Sequence, residues 1–374
     1  MKCIKCGTDN KLKERTEHRG RCKQCGHAFV FDPKATPGVT HTDQFFAHVI
    51  AAATAQDTLF ITPRQLWYFF CARQARSRIG FTGCGVILFL AAFVFLLLSV
   101  SASAFFLLPM ALAFAAGVAM FLPPLQRRLK PKVAKEPVVS FEQFSEWLAR
   151  WQSVNGPIAK LLPPPAQASA PAQVSSEITA YSFDRVVVCQ HAAIAQFLIA
   201  SNFHFEHNCA VLSLNHYPQN IFDTVMQMLR RNPELKVYAL HDASLNGIQM
   251  THRLMSDERW FAGQSGVTVY DLGLMPRQLL GRPVFTSRER SGQVQSLSAL
   301  PAPVQQGLQP EEMKWLEAGN SVELESIGPQ RLLQIITLGI ARSRDPRTQD
   351  MLVPVGTGYY DSGGVYVYSS DSFG

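Results

Sequence analysis

Hydrophobic residues are most concentrated between positions 79 and 126, where no Asp, Glu, Lys, Arg or His occurs. This stretch is about twice as long as the roughly 20 apolar residues that one helix needs to cross a bilayer. A serine-rich break at 99–103 divides it into 81–98 and 104–122. The pattern therefore predicts a hairpin of two transmembrane helices. The alternative is one very apolar helical hairpin buried in a soluble core.

Basic residues flank the uncharged stretch on both sides, whereas the break at 99–103 contains none. They are Arg73, Arg76, Arg78, Arg127, Arg128, Lys130 and Lys132. Because Lys and Arg favour the cytoplasmic side of a membrane, both termini are predicted to be cytoplasmic. The chain is thus predicted to be a multi-pass protein of the cytoplasmic (inner) membrane. Its predicted partners are the lipid bilayer and anionic lipid at the basic flanks.

Four apolar runs in the second half of the chain alternate with helical patterns. The runs are 185–190, 210–214, 236–240 and 267–272, and helices are predicted at 191–201, at 221–231 and from Gly247. Strands that are apolar without alternation are typical of a parallel sheet covered on both faces. The region 182–282 is therefore predicted to be a Rossmann-like, three-layer α/β domain with a mainly parallel sheet.

A metal-binding pattern of cysteines occupies the first 31 residues. Two Cys-x-x-Cys pairs, each followed by glycine, are separated by a spacing typical of a zinc ribbon. The four cysteines are Cys3, Cys6, Cys22 and Cys25. Four thiolates close a tetrahedral structural site, and the glycines permit the tight turns that such a site requires. The prediction is one structural Zn²⁺ with no open position for catalysis.

The fold class predicted from these patterns is multidomain: a zinc ribbon, a two-helix transmembrane hairpin and an α/β domain. The segment 40–78 is predicted to be helical, and lies either at a membrane interface or in a small domain packed on the ribbon. The remaining segments are a basic juxtamembrane segment with an amphipathic helix at 127–160, a Pro/Ala linker at 161–176, a helical extension at 283–353 and a flexible tail at 354–374.

The net charge of +7 is concentrated in the ribbon and beside the uncharged stretch. Basic residues in such places most often meet anionic lipid. A protein partner and nucleic acid are the other partners that this charge favours.

Polar residues follow three of the predicted strands, where ligands gather in open parallel sheets. The sequence HDASLNG at 241–247 is the most suggestive of these places, because a short acidic loop that leads into a helix can hold a metal ion or a phosphate. The candidate catalytic residues are Asp242, His241 and His191. The candidate cofactor-binding residues are Gln190, Ser244 and Gly247.

A second candidate site is based on histidine. His204, Glu206, His207 and Cys209 precede the second strand, and further histidines follow strands at 191, 216 and 241. Such a set could converge on a transition metal, and a His–Asp pair could act as acid and base. Adjacent residues at a strand end point in opposite directions, so His241 and Asp242 are not expected to bond to each other through their side chains.

The α/β region resembles the Toprim domain of topoisomerases and related nucleases. In that family a Glu follows the first strand, and an Asp-x-Asp motif with a nearby Gly follows the third. Asp242 and Gly247 match this motif, whereas Gln190 and Ser244 stand where the other two carboxylates would be. The resemblance implies a degenerate Toprim-like domain that has lost its magnesium site.

The leading functional hypothesis is a membrane-anchored, non-enzymatic module that binds a ligand, nucleic acid or protein, as in bacterial sensor or defence proteins. An alternative is a membrane-tethered, metal-dependent phosphoester hydrolase or nuclease that uses Asp242 and nearby histidines. A third hypothesis is a structural scaffold that recruits partners. The sequence does not decide whether the chain is an enzyme, although it favours a non-enzymatic role.

Overall fold

The computed structural model describes residues 1–34, 38–76, 136–165 and 183–343, with short gaps at 233, 265, 281, 283 and 289–296. Between 77 and 135 it describes six separate helical positions only. The predicted tail at 354–374 and most of the predicted linker at 161–176 lie outside the described residues.

A small metal-knuckle head forms the N-terminus (residues 1–34). Each of its two cysteine knuckles is closed by one antiparallel bridge, Lys2 to Asp9 and Arg21 to Ala28. The short helix α1 (Leu12–Glu17) lies between them. From this helix the buried Arg15 guanidinium donates to the Asp32 carboxylate at 2.7 and 3.1 Å. This ion pair ties the knuckles to the residues that follow them.

Three helices pack below the head around an aromatic core. They are α2 (Asp43–Ala53), α3 (Pro63–Arg76) and α4 (Phe141–Asn155). Phe31 from the head lies in this core together with Phe46, Phe70 and Phe144, and all four are at most 1% exposed. Of the predicted segment 40–78, the described residues 40–76 are thus part of a packed helical layer that joins the head.

Sequence-encoded caps begin two of these helices. Thr62 Oγ1 accepts from the Gln65 amide at 3.1 Å, while Gln65 Oε1 accepts from the Thr62 amide at 3.0 Å. At α4, Ser140 accepts from the Gln143 amide. Such caps satisfy amides that the first helical turn leaves without a partner.

One buried carboxylate fixes the head on the helical layer. Asp43, at the first position of α2, accepts hydrogen bonds from the amides of Val30 and Phe31 at 3.1 and 2.7 Å. Burial raises the pKa of Asp43, although these two hydrogen bonds oppose the effect. The last residues of the head are therefore held by a helix N-terminus through two directed bonds.

A histidine with no polar partner among the described residues also lies in the aromatic core. The His41 ring is 4.4 Å from Phe31, 4.7 Å from Trp147 and 4.9 Å from Phe70, measured between ring centroids. Neither of its ring nitrogens has a hydrogen-bond partner in the described part of the chain. Burial lowers the pKa of His41 to about 4, so the imidazole is neutral at physiological pH.

Acid should destabilise the helical layer through His41. Because its folded pKa lies below the unfolded value, stability is fully present above about pH 6.5 and is lost as the pH falls towards 4. The expected loss in the free energy of unfolding is about 3 kcal/mol, measured by urea denaturation across this window. His41→Phe should abolish this component, whereas His48→Phe, at an exposed position of α2, should retain it. Equal pH slopes in the two variants would contradict the assignment.

The C-terminal half forms a four-stranded parallel sheet of order β2-β1-β3-β4. Its strands are β1 (Arg185–Cys189), β2 (Ala210–Ser213), β3 (Lys236–Leu240) and β4 (Thr268–Asp271). The first three strands are almost entirely buried. The predicted α/β domain with a parallel sheet is therefore confirmed.

Helices cover both faces of this sheet. The helices of the domain are α5 (Ala192–Ala200), α6 (Phe203–Glu206), α7 (Phe222–Arg230), α8 (Leu245–Ile248), α9 (Met250–Ser256), α10 (Ala302–Gln306), α11 (Pro310–Glu317) and α12 (Pro329–Arg342). Helices α5 and α12 pack on one face, and α7 and α9 pack on the other. A two-stranded pair, β5 (Ser287–Arg288) with β6 (Asn320–Ser321), lies apart from the main sheet. Among the described residues of the predicted extension at 283–353, helix α12 thus packs beside α5 on one face of the sheet.

The prediction of a transmembrane hairpin is wrong on the evidence of the described residues, in which no helix is long and apolar enough to cross a bilayer. The longest helix with assigned bounds, α4, has 15 residues, which corresponds to about 22 Å against roughly 30 Å of hydrocarbon. The membrane location and the multi-pass topology rested on the hairpin and are corrected with it. The spans 81–98 and 104–122 themselves lie outside the described residues, apart from the six positions.

Candidate functional site

The four predicted metal ligands converge in the head. Cys3 Sγ lies 3.7 Å from Cys25 Sγ, and Cys6 Sγ lies 3.6 Å from Cys22 Sγ. All four sulfurs lie within 4.8 Å of one another, so the group can hold a metal ion. A tetrahedron with metal–sulfur bonds of about 2.3 Å has sulfur–sulfur edges of roughly 3.8 Å, which the two measured distances match.

Backbone amides and one buried amide side chain surround the sulfurs. Hydrogen bonds from the Cys25 and Gln24 amides lower the pKa of Cys22 to about 6. Asn10 is fully buried, directs its Nδ2 at Cys22 Sγ at 3.6 Å and accepts from the Lys23 amide at 2.9 Å. The glycines after each pair, Gly7 and Gly26, have φ angles of 74° and 70°. The predicted turns are therefore present, and the hydrogen bonds favour a thiolate at Cys22. At Cys25 a backbone hydrogen bond from His27 acts in the same direction, but burial and the neighbouring thiols raise its pKa to about 11.

A second group of polar residues lies at the carboxyl edge of the sheet, between β1 and β3. In sheets of this order, that gap is where the direction of strand addition reverses and where ligands bind. His191 Nε2 lies 2.9 Å from Asp242 Oδ2, and the Asp242 amide donates to Gln190 Oε1 at 2.9 Å. The structure thus brings together three of the candidate residues from the two strand ends.

His241 lies beside this dyad but has other partners. Its Nε2 lies 2.9 Å from Asp271 Oδ1 at an angle unfavourable for a hydrogen bond, and its Nδ1 lies 2.9 Å from the Asp242 carbonyl oxygen. Burial acts to lower the pKa of His241, but the Asp271 carboxylate outweighs it and the pKa is raised. The expectation that His241 and Asp242 point in different directions is confirmed.

The remaining candidates, Ser244 and Gly247, make contacts that shape the backbone at this edge of the sheet. Ser244 caps α8, accepting from the Gly247 amide at 3.1 Å. A Cβ atom at Gly247 would lie 2.0 Å from the Asp242 carbonyl oxygen and 3.0 Å from Gln190 Oε1. Gly247 therefore permits the close approach of α8 to the end of β3. Cofactor binding by Gln190, Ser244 and Gly247 stays a prediction.

Three carboxylates near the dyad were not singled out from the sequence. Asp271 is the last residue of β4, and a search of every strand end would have found it. Glu323 and Glu325 lie more than 80 residues after Asp242 in a loop, and the Leu324 amide between them donates to Asp242 Oδ1 at 2.7 Å. No pattern in the sequence indicates that this loop returns to the sheet edge.

The second, histidine-based candidate site is dispersed. His207 Nε2 contacts the Thr337 hydroxyl at 3.0 Å, while His216 packs on Phe222 at the other face of the sheet. Cys209 is buried. Among the described residues, the four head cysteines are the one group of three or more side chains that could hold a metal ion.

No family model, curated protein or solved structure significantly matches the chain. The functional argument therefore rests on the two sites themselves: the four-cysteine centre and the polar edge of the sheet.

The polar edge has limited capacity for chemistry. Both Asp242 carboxylate oxygens have internal partners, and its side chain is 7% exposed. His191 is half-exposed, and its hydrogen bond to Asp242 raises its pKa. A half-exposed histidine held by a buried aspartate can, when it is protonated, bind an anion or donate a proton.

Proposed function

We propose that this chain is a non-enzymatic binding protein in which a zinc-held, basic head binds nucleic acid and an α/β module is locked to that head. The observation that carries the proposal is the charge on the surface of the head. Three further features support it: the cysteine centre, the internal bonding of Asp242 and the packing between the head and the helical layer.

Zinc is the ion that the cysteine centre fits best. Four sulfur ligands at tetrahedral spacing favour Zn²⁺ or an iron–sulfur centre, and paired Cys-x-x-Cys knuckles with this separation are typical of structural zinc. The residues that would hold it are Cys3, Cys6, Cys22 and Cys25. The ion would supply folding energy to a unit that has little core of its own.

The head presents cations that its own carboxylates do not neutralise. Its three exposed or half-exposed acids are engaged: Asp9 by the terminal ammonium at 2.8 Å, Glu14 by Lys23 at 2.7 Å and Glu17 by Lys13 at 4.0 Å. Several exposed basic side chains of the head have no carboxylate within ion-pair distance in the described part of the chain. They are Lys2, Lys5, Lys11, Arg19, Arg21 and Lys34.

This surface favours a phosphate polymer over a lipid surface. The one large apolar side chain exposed on the head is Leu12, at 41%, so the head offers little to insert into a bilayer. Lysine and arginine on a rigid scaffold neutralise phosphates and release counterions, which is the main source of affinity for nucleic acid. Four thiolates around a divalent ion carry a net negative charge. The positive charge of the basic residues in the head is larger than this negative charge.

The polar edge of the sheet supports the non-enzymatic part of the proposal. Gln190 and Asp242 lie side by side at the strand ends, as the resemblance to Toprim domains requires, and Gln190 uses its carbonyl oxygen on the Asp242 amide. Among the described residues, no three side chains at this edge lie close enough together to hold a metal ion. We therefore interpret the α/β module as a degenerate Toprim-like domain.

Binding of a fluorescent single-stranded oligonucleotide, followed by anisotropy, tests the proposal. Lys5→Ala combined with Lys11→Ala and Arg19→Ala should weaken binding at least tenfold and reduce the salt slope by about 2 to 3. Lys314→Ala, at an exposed position of α11, is the matched control and should bind as the native chain does. Equal affinity of the triple variant, or preference for anionic vesicles or a poly-glutamate peptide, would overturn the proposal.

Phosphoester hydrolysis is a second candidate function, and the half-exposed His191 bonded to Asp242 favours it. In that case His191 would donate or accept the proton while Asp242 orients its ring. Turnover of an activated phosphodiester that is lost in His191→Ala and Asp242→Asn would establish the hydrolase. Absence of turnover in the zinc-loaded native chain, with and without Mg²⁺, would remove it.

A further inference from the structure

The segment 323–325 contacts the helical layer through its two acidic residues. Thr62 Oγ1 donates to Glu325 Oε1 at 2.5 Å, with both residues buried. Arg64 Nη1 donates to both Glu323 carboxylate oxygens, at 2.7 and 3.0 Å. Both contacts are made with the first turn of α3, so this segment holds the N-terminal end of that helix.

The residue between the two acids contacts the α/β module instead. The Leu324 amide donates to Asp242 Oδ1, and the other Asp242 oxygen contacts His191 Nε2. Just before this segment, Val322 pairs with Ala243 through two backbone hydrogen bonds of 3.0 Å. Alternate residues of one short segment therefore bind the helical layer and the carboxyl edge of the sheet.

We propose that residues 323–325 are a proton-sensitive clasp that holds the head and its helical layer on the α/β module in acid and loosens towards neutral pH. The proposal is independent of what the head binds. It requires only that the carboxylates around the clasp outnumber the cationic side chains that contact them.

The charged groups around Glu325 come from every element packed on the clasp. Glu323 lies beside it, Asp242 faces it from the end of β3, and Arg64 faces it from α3. His191 approaches Asp242 from the start of α5. In addition, Tyr68 of α3 faces Glu323, and His241 contacts the Asp242 carbonyl oxygen. Three carboxylates thus share two cationic partners, Arg64 and His191.

The direction of the pH effect follows from two groups, Glu325 and His191, whose pKa values are raised in the closed state. Burial, together with Glu323, raises the pKa of Glu325 to about 7. The hydrogen bond to Asp242 raises the pKa of His191. A raised folded pKa means that the closed state binds more protons, so its stability is present in acid and is lost as the pH rises. Both groups therefore favour closure in acid.

Hydrogen–deuterium exchange of the full-length, zinc-loaded chain tests the clasp. After correction for intrinsic exchange, opening at 62–66 and 321–327 should increase about twentyfold from about pH 5.5 to about pH 7.5. Glu325→Gln, which keeps an acceptor for Thr62 and cannot ionise, should greatly reduce this increase. The buried strand at 236–240 is the internal control and should not change.

A second variant keeps the test decisive if Glu325→Gln does not fold. Glu323→Gln removes a neighbouring carboxylate, so the midpoint of the pH-dependent opening should move towards acid. A pH-independent opening of the native chain, or the same midpoint in Glu323→Gln as in the native chain, would overturn the proposal.

Discussion

Removal of the metal ion should unfold the head while the α/β module stays folded. The head has one helix of six residues and no aliphatic core of its own, so the cysteine centre must supply most of its folding energy. Structural zinc in comparable small units contributes about 10–16 kcal/mol of apparent binding free energy. The module is stabilised by a separate buried core on both faces of its sheet.

Cys22→Ser and a strong chelator should have the same effect. Metal content should fall from about one ion per chain to near zero, and residues 1–34 should become sensitive to protease. His18→Ala is the matched control, because His18 is exposed in the head and is not a ligand. A Cys22→Ser chain that keeps its metal and its protease resistance would contradict the four-cysteine centre.

Replacement of Gly273 by alanine should strongly destabilise the α/β module. Its Cβ would lie 2.1–2.3 Å from three atoms of the His241 ring. That ring is fully buried, contacts the Asp242 carbonyl oxygen and lies against the Asp271 carboxylate, so it has no room to move. Overpacking, combined with displacement of the buried His241 ring from the partly exposed Asp271 carboxylate, should cost about 3 kcal/mol.

Gly307→Ala provides the comparison, since its Cβ would meet its nearest neighbour at an ordinary 3.5 Å. Urea denaturation should show a loss of about 1 kcal/mol or less for this variant. The His241 imidazole, followed by NMR, should lose its raised pKa in Gly273→Ala and keep it in Gly307→Ala. Near-native stability of Gly273→Ala would mean that the ring is free to shift.

Local patterns were sufficient to predict the sheet and the metal ligands. Residues 186–189 and 237–240 are unbroken apolar runs because they lie between two helical layers, and this burial on both faces is visible in the sequence. The cysteine pairs can likewise be recognised within short stretches of sequence, because the ligands of a four-cysteine metal site come in closely spaced pairs. Caps such as Thr62 with Gln65 depend on four consecutive residues, and they too were predictable.

Contacts between distant segments were not predictable. The helical layer joins Phe31 and Phe46 to Trp147 and Trp151 across a long stretch of chain, and no periodicity indicates which apolar faces will meet. The clasp likewise brings Glu325 to Thr62, 263 positions away. The hairpin was predicted from hydropathy and flanking charge alone, which say nothing about where a segment packs.

One pair of contacts makes the middle of the chain a closed loop. Ile61 bridges Leu161 as a parallel pair, and Trp67 Nε1 donates to the Val139 carbonyl oxygen at 2.9 Å. These contacts bring the residues around the start of α3 together with those that flank α4 within the helical layer. The entropy of closing a loop grows only slowly with its length, so the layer depends little on how long the segment between α3 and α4 is. In evolutionary terms, that segment is a place where residues can be gained or lost at a small entropic cost to the layer.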